Sequence, residues 1–151
     1  MSLLPTGTYI IESKTNRQAI GTRPGEETTI VGKPIPVVSL PQGVEAPKWE
    51  IEKNQKGDTY VLTIGGGTVA EIDNLVATLP ELGIGEWRVT TIPQTGPDTY
   101  IIETVDGGRG WVLSEEEPFT QVAVRPLIVG RSDPPFYSPN QLFVIRRNVY
   151  E

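Results

Sequence analysis

Hydrophobic and polar residues alternate along this chain in short runs of period two, and Gly, Pro, Asn or Asp cuts each run before a helix could form. One run recurs. Gly7-Thr8-Tyr9-Ile10-Ile11-Glu12, Asp58-Thr59-Tyr60-Val61-Leu62-Thr63 and Asp98-Thr99-Tyr100-Ile101-Ile102-Glu103 each contain Thr-Tyr at the head of an apolar alternation. A second pattern closes each copy with an aromatic leading a strand: Trp49-Glu50-Ile51-Glu52, Trp87-Arg88-Val89-Thr90 and Phe143-Val144-Ile145-Arg146. Between a closing Trp and the next Tyr lie Gly57-Asp58 or Gly96-Pro97-Asp98, which are hairpin turn residues.

Each copy has room for two further strands. These are Gln18–Gly21 and Thr28–Val38 in the first, Thr68–Ile72 and Leu75–Leu79 in the second, Gly110–Leu113 and Gln121–Leu127 in the third. Three units of four strands, none able to bury its apolar face alone, predict an all-β fold: a β-trefoil of twelve strands closed around a shared axis. The expected repeats span residues 7–53, 58–92 and 98–147 of one domain covering 1–151. A twelve-stranded sandwich is the rival, but it gives no reason for a threefold repeat.

Composition narrows the chemistry. The 151 residues hold no His and no Cys, so a Ser-His-Asp triad, a Cys-His dyad, a His-bearing zinc site and a disulfide framework are all excluded. No metal or cofactor is expected. The net charge of −6 and the lack of a basic run argue against nucleic acid as a partner. No stretch approaches a membrane span or a signal peptide, so the expectation is a cytoplasmic monomer with no membrane partner.

Three constellations invite a catalytic or ligand-binding reading. Gly65-Gly66-Gly67-Thr68-Val69-Ala70 matches a dinucleotide fingerprint in outline, but Pro80 and Gly83 cut off the helix it needs, and a strand connection explains it better. Glu26-Glu27 and Glu115-Glu116-Glu117 read as solvated turns, because adjacent carboxylates do not flank one sugar ring. The triplets ending in the closing aromatics, Pro47-Lys48-Trp49, Gly85-Glu86-Trp87 and Gln141-Leu142-Phe143, retain the Gln-x-Trp pattern of trefoil lectins only in part. Core plugs are the better reading of these rings, and a carbohydrate-binding lectin stays an alternative. No enzyme is expected.

The loops stand out instead. Thr22–Glu27, Ser39–Pro47 and Gly130–Pro135 are long and stiffened by proline, which lowers the entropy lost when a loop docks in a cleft. These are equally the residues of ordinary turns.

Over nearly its whole length the chain resembles the fungal β-trefoil protease inhibitors. The likeness is carried by Met1-Ser2-Leu3 with Gly7-Thr8-Tyr9, by Trp49–Glu52, by Val124–Gly130 and by Pro134–Phe143. These resemble the mycospins, which inhibit trypsin-like enzymes, and the cocaprins, which inhibit cysteine and aspartic proteases. Pro24-Gly25-Glu26 ahead of Thr28-Thr29-Ile30-Val31-Gly32 resembles the mycocypins, inhibitors of papain-like enzymes. The resemblance implies a β-trefoil that inserts surface loops into a protease cleft.

Residues then bear on the protease class. A trypsin inhibitor must offer Lys or Arg followed by a residue that fits the primed side, and Arg23-Pro24, Lys33-Pro34 and Arg125-Pro126 all place Pro there. By the resemblance, mycospins carry the reactive residue either in the loop that holds Arg23 or in the last long loop, which holds Arg131; Arg131-Ser132 and Arg17-Gln18 stay open. The mycocypins that it resembles fill a papain-like cleft with a glycine-containing wedge, and Gly25 between Pro24 and Glu26 suits that role because backbone without a Cβ can approach the thiol, although it equally suits an ordinary turn. The expected function is inhibition of papain-like cysteine proteases, and of pepsin-like aspartic proteases through a separate loop, with trypsin-type inhibition the alternative. The candidate contact residues are Arg23, Pro24, Gly25, Glu26, Gln42, Gly43 and Arg131.

Overall fold

The computed structural model describes residues 4–23, 34–54, 59–65, 67–79, 85–130 and 136–147. In chain order its strands are β1 (Gly7–Ser13), β2 (Ile20–Gly21), β3 (Ile35–Pro36), β4 (Val38–Ser39), β5 (Trp49–Lys53), β6 (Thr59–Ile64), β7 (Gly67–Ile72) and β8 (Leu75–Leu79). Then come β9 (Glu86–Thr91), β10 (Thr99–Thr104), β11 (Arg109–Val112), β12 (Ala123–Pro126), β13 (Val129–Gly130), β14 (Phe136–Tyr137) and β15 (Phe143–Arg147). Helix among the described residues is limited to two 3-10 turns, Pro93–Thr95 and Pro139–Gln141.

Six of these strands close on themselves. β1 pairs with β5, β5 with β6, β6 with β9, β9 with β10, β10 with β15 and β15 with β1, every pair antiparallel. Closure removes the strand edges that invite aggregation. The ring alternates the two sequence patterns, since β1, β6 and β10 carry Thr-Tyr while β5, β9 and β15 start at or next to the closing aromatic. The register is repeated residue for residue: Tyr9 faces Trp49, Tyr60 faces Trp87 and Tyr100 faces Phe143.

Period-two alternation fills the ring. Across the hairpin pairs β5–β6 and β9–β10 and the terminal pair β15–β1, Ile51 stands opposite Leu62, Val89 opposite Ile102 and Ile145 opposite Ile11, all buried. At one end of this layer Trp111, from β11, sits among the three closing aromatics. Its ring centroid is 5.9 Å from Trp49, 5.6 Å from Trp87 and 5.8 Å from Phe143, the last two edge to face. Two of those aromatics also bond the strands that cap the ring: Trp49 Nε1 donates to Ile20 O at 2.8 Å and Trp87 Nε1 to Val69 O at 3.0 Å. Phe143 has no N–H to give.

The remaining strands form the caps, with β2 pairing β4, β7 pairing β8 and β11 pairing β12, while β8 joins β12 and β3. The described residues therefore hold fifteen strands where the pattern predicts twelve. The expected Thr28–Val38 strand is seen only as β3 and the start of β4, because Val37 turns its N–H to Val76 O between them and residues 28–33 lie outside the described set. The short pair β13 and β14 was not legible in the pattern at all. Leu75–Leu79 falls where expected, and Gly65, at φ +60°, turns β6 into β7 with no helix following, as the strand-connection reading of the glycine run requires.

Candidate functional site

Two surfaces carry, or lead in sequence to, the expected contact residues. On the first, β2 delivers Arg23 to the surface, and Pro24, Gly25 and Glu26 lie outside the described residues. Arg23 does not extend into solvent alone: its guanidinium carbon lies 4.6 Å above the ring of Phe119. Phe119 belongs to the Ser114–Thr120 connection and holds a φ of +65°, uncommon for a side chain with a Cβ. Several bonds impose that conformation. Phe119 N–H donates to Ser39 O at 2.6 Å, Ser39 N–H donates to Thr120 O at 2.9 Å, and the Ser39 hydroxyl donates to Glu117 O at 3.1 Å. Thr120 Oγ1 donates to Glu117 O at 2.6 Å and Asn16 Nδ2 to Glu116 O at 3.4 Å. The connection is fixed through backbone carbonyls, leaving Glu115, Glu116 and Glu117 exposed, as a solvated turn should be.

Gln42 and Gly43 sit on an exposed turn in which Val44 N–H donates to Pro41 O at 3.3 Å. Gly43 has φ +94° and open space around its missing Cβ. The antiparallel ladder sets Ile20 opposite Ser39 and Gly21 opposite Val38, so the chain after Gly21 and the chain after Ser39 leave in opposite directions. The structure does not bring Arg23 and the Gln42-Gly43 turn together at one tip.

The second surface is on the third repeat. After β12, Leu127 and Tyr137 pack on a small apolar cluster of Ile92, Ile101 and Leu142. Between them runs an exposed apolar segment, with Ile128 75% and Val129 43% accessible. Its backbone is clamped by one buried side chain: Ile128 N–H donates to Gln141 Oε1 at 2.6 Å, and Gln141 Nε2 donates to Ile128 O at 2.8 Å. Gln141 is 3% accessible and closes the Pro139–Gln141 turn, where its N–H donates to Ser138 O at 2.9 Å. β13 then pairs with β14, Val129 opposite Tyr137 and Gly130 opposite Phe136. Arg131, the next residue in the chain, lies outside the described residues.

Other basic residues are engaged elsewhere. Arg17, at φ +59°, and Arg146 both pair with Glu12, at 3.0 and 2.8 Å. Arg109 pairs with Glu71 at 2.5 Å, which raises its already high pKa, and Arg125 stands in β12 opposite Gly110. Other shifted groups sit on ring strands, where burial raises Tyr9, Tyr100 and Glu103, opposed at Tyr9 by Arg147 and at Glu103 by Arg88. No group of His, Cys, Asp or Glu among the described residues could hold a metal ion. No described helix is long and apolar enough to cross a membrane.

A closed all-β ring presenting loops is an architecture in which the loops carry function. A family model for peptidase inhibitors, described as Peptidase inhibitor I66, matches residues 1–147, and the chain belongs to that family. It is 33% identical over 144 residues, 94% of this chain and 96% of the relative, to a protein of Lentinula edodes named a serine protease inhibitor. Among solved structures it is similar to a proteinase inhibitor from Coprinopsis cinerea, with TM-score 0.86 and 28% identity over 96% of this chain and 99% of that one. A ricin B-like lectin of Macrolepiota procera shares the β-trefoil fold at TM-score 0.71 and 14% identity, covering 98% of this chain and all of that one (100%). The chain is a fungal-type β-trefoil protease inhibitor by family.

Two residues that hold these surfaces in place are not marked as such in the sequence. Gln141 stands there only as the one Gln kept in a lectin-like triplet, and Phe119 carries no signal, since neither its positive φ nor its partner Arg23 can be read from spacing.

Proposed function

We propose that this protein inhibits a trypsin-like serine protease by presenting the third-repeat loop to its cleft, with Arg131 filling the basic-specific pocket. The observation that carries this reading is the exposed, clamped segment Ile128-Val129-Gly130, which runs directly into Arg131-Ser132. An extended segment ending in Arg, with Ser and not Pro after it, is what a substrate-like inhibitor must offer. Arg23 is a poorer anchor on two counts, being followed by Pro24 and stacked on Phe119. The serine-protease inhibitor of Lentinula edodes supports the same class. The ring with its caps makes three four-strand repeats, with β3 and β4 as one interrupted strand and the β13–β14 pair as an addition within a loop.

A second reading attaches to the other loop. With Arg23 committed to Phe119, the first-repeat loop offers Gly25 in place of a basic anchor, which suits papain-like cysteine proteases. Inhibition constants against trypsin, papain and pepsin separate the two. Arg131→Ala should abolish trypsin inhibition and leave any papain inhibition intact, and Gly25→Arg should do the reverse. Trypsin inhibition that survives Arg131→Ala and is lost with Arg23→Ala contradicts the reading.

A further inference from the structure

We propose that Gln141 is the positioning residue of the inhibitory third-repeat loop and that Ile128, the residue it holds, is a specificity determinant contacting the protease beside the primary pocket. This rests on the serine-protease reading above. Ile128 is the most exposed large apolar residue described, yet both polar groups of its backbone are taken by one buried carboxamide. Burying a carboxamide is costly unless its donor and acceptor are both satisfied, and here a single surface residue satisfies both.

The clamp is not required by the fold. The corresponding positions, two residues before the closing aromatic, are Pro47 and Gly85, and neither side chain can form such a bond. Only the repeat carrying the exposed Ile128-Val129 segment has it. Fold maintenance alone also gives no reason to turn Ile128 outward, since the same backbone bonds would hold with a polar side chain there.

The clamp acts in two ways. Holding the segment extended before docking reduces the ordering cost of association. It also ties Ile128, before the Arg131–Ser132 bond in the chain, to Gln141, after it, so that hydrolysis of that bond by the protease would leave the two flanks joined.

The test uses the full chain, its Gln141→Met and Ile128→Ala variants, and bovine trypsin. Inhibition constants, thermal midpoints and mass-spectrometric detection of cleavage at Arg131–Ser132 are measured well below the midpoint of each variant. Gln141→Met keeps the shape and loses both bonds; it should raise the inhibition constant about tenfold or more and turn the loop into a substrate that is cut while the parent stays intact. Ile128→Ala should keep the parental midpoint and weaken inhibition about tenfold. A folded Gln141→Met that inhibits like the parent and is not cut overturns the positioning role. Should Gln141→Met not fold, Ile128→Ala decides alone, and an unchanged inhibition constant overturns the proposal. If the parent itself leaves trypsin-like enzymes untouched, the proposed function falls and this inference with it, a result distinct from either variant failing.

Discussion

The second and third repeats enter the ring in the same register, Tyr60 opposite Trp87 and Tyr100 opposite Phe143, yet the connections that lead into them behave oppositely. In the second repeat the residue two before the aromatic is Gly85. A Cβ there would run into Val69 O, the same carbonyl that receives the Trp87 indole N–H. Gly85 itself is drawn tight against the cap. In the third repeat the same position is Gln141, whose side chain reaches away and pins the exposed Ile128 just before β13. One ring thus supports a tucked connection and a presented one, and the choice rests on a residue that the repeat itself leaves free.

The deepest test of this contrast asks what the repeats share. Trp111→Ala removes the ring that touches Trp49, Trp87 and Phe143 together, and chemical denaturation should show a loss of about 4 kcal/mol in one cooperative transition. Two separated transitions would mean that the repeats do not share one core. Gly85→Ala should come next, at about 3 kcal/mol, because the new methyl meets backbone that cannot move aside. If that variant is as stable as the parent, the tight approach to Val69 is not what distinguishes the second repeat.

Arg23→Ala sharpens the comparison from the first repeat. Losing the stack on Phe119 should cost under about 1 kcal/mol and leave trypsin inhibition unchanged, since Arg23 serves its own loop. The smallest effect is expected at Glu103, on β10, where desolvation by burial raises the carboxyl pKa from 4.5 and Arg88 partly opposes it. The folded state holds this proton more tightly, so the contribution to stability is present below pH 4.5 and fades as pH rises through the folded value. Glu103→Gln should therefore raise the thermal midpoint by about a degree at pH 7, with the advantage gone near pH 4.

The ring was legible in the sequence because its determinants are local and repeated: Thr-Tyr opens three strands, an aromatic leads three others, and alternation chooses the inward face. Trp111 was legible only as part of a strand. Its place at the centre depends on how three distant repeats meet. The loops were legible as stiff and long, but not in what holds them. Gln141 and Ile128 are joined across the chain by side chain to backbone, Arg23 and Phe119 by a ring stack between repeats, and no periodicity encodes either. The ladder between β2 and β4 likewise parts Gln42-Gly43 from Arg23, although the linear order suggests neighbours.

In the proposed function the third-repeat segment, and not the loop after β2, meets the protease. Hydrogen exchange measured on the free protein and on its complex with trypsin tests this directly. Slowed exchange confined to peptides spanning residues 127–137, with residues 20–30 unchanged, is the predicted result. Protection of residues 20–30 with none in 127–137 would contradict it.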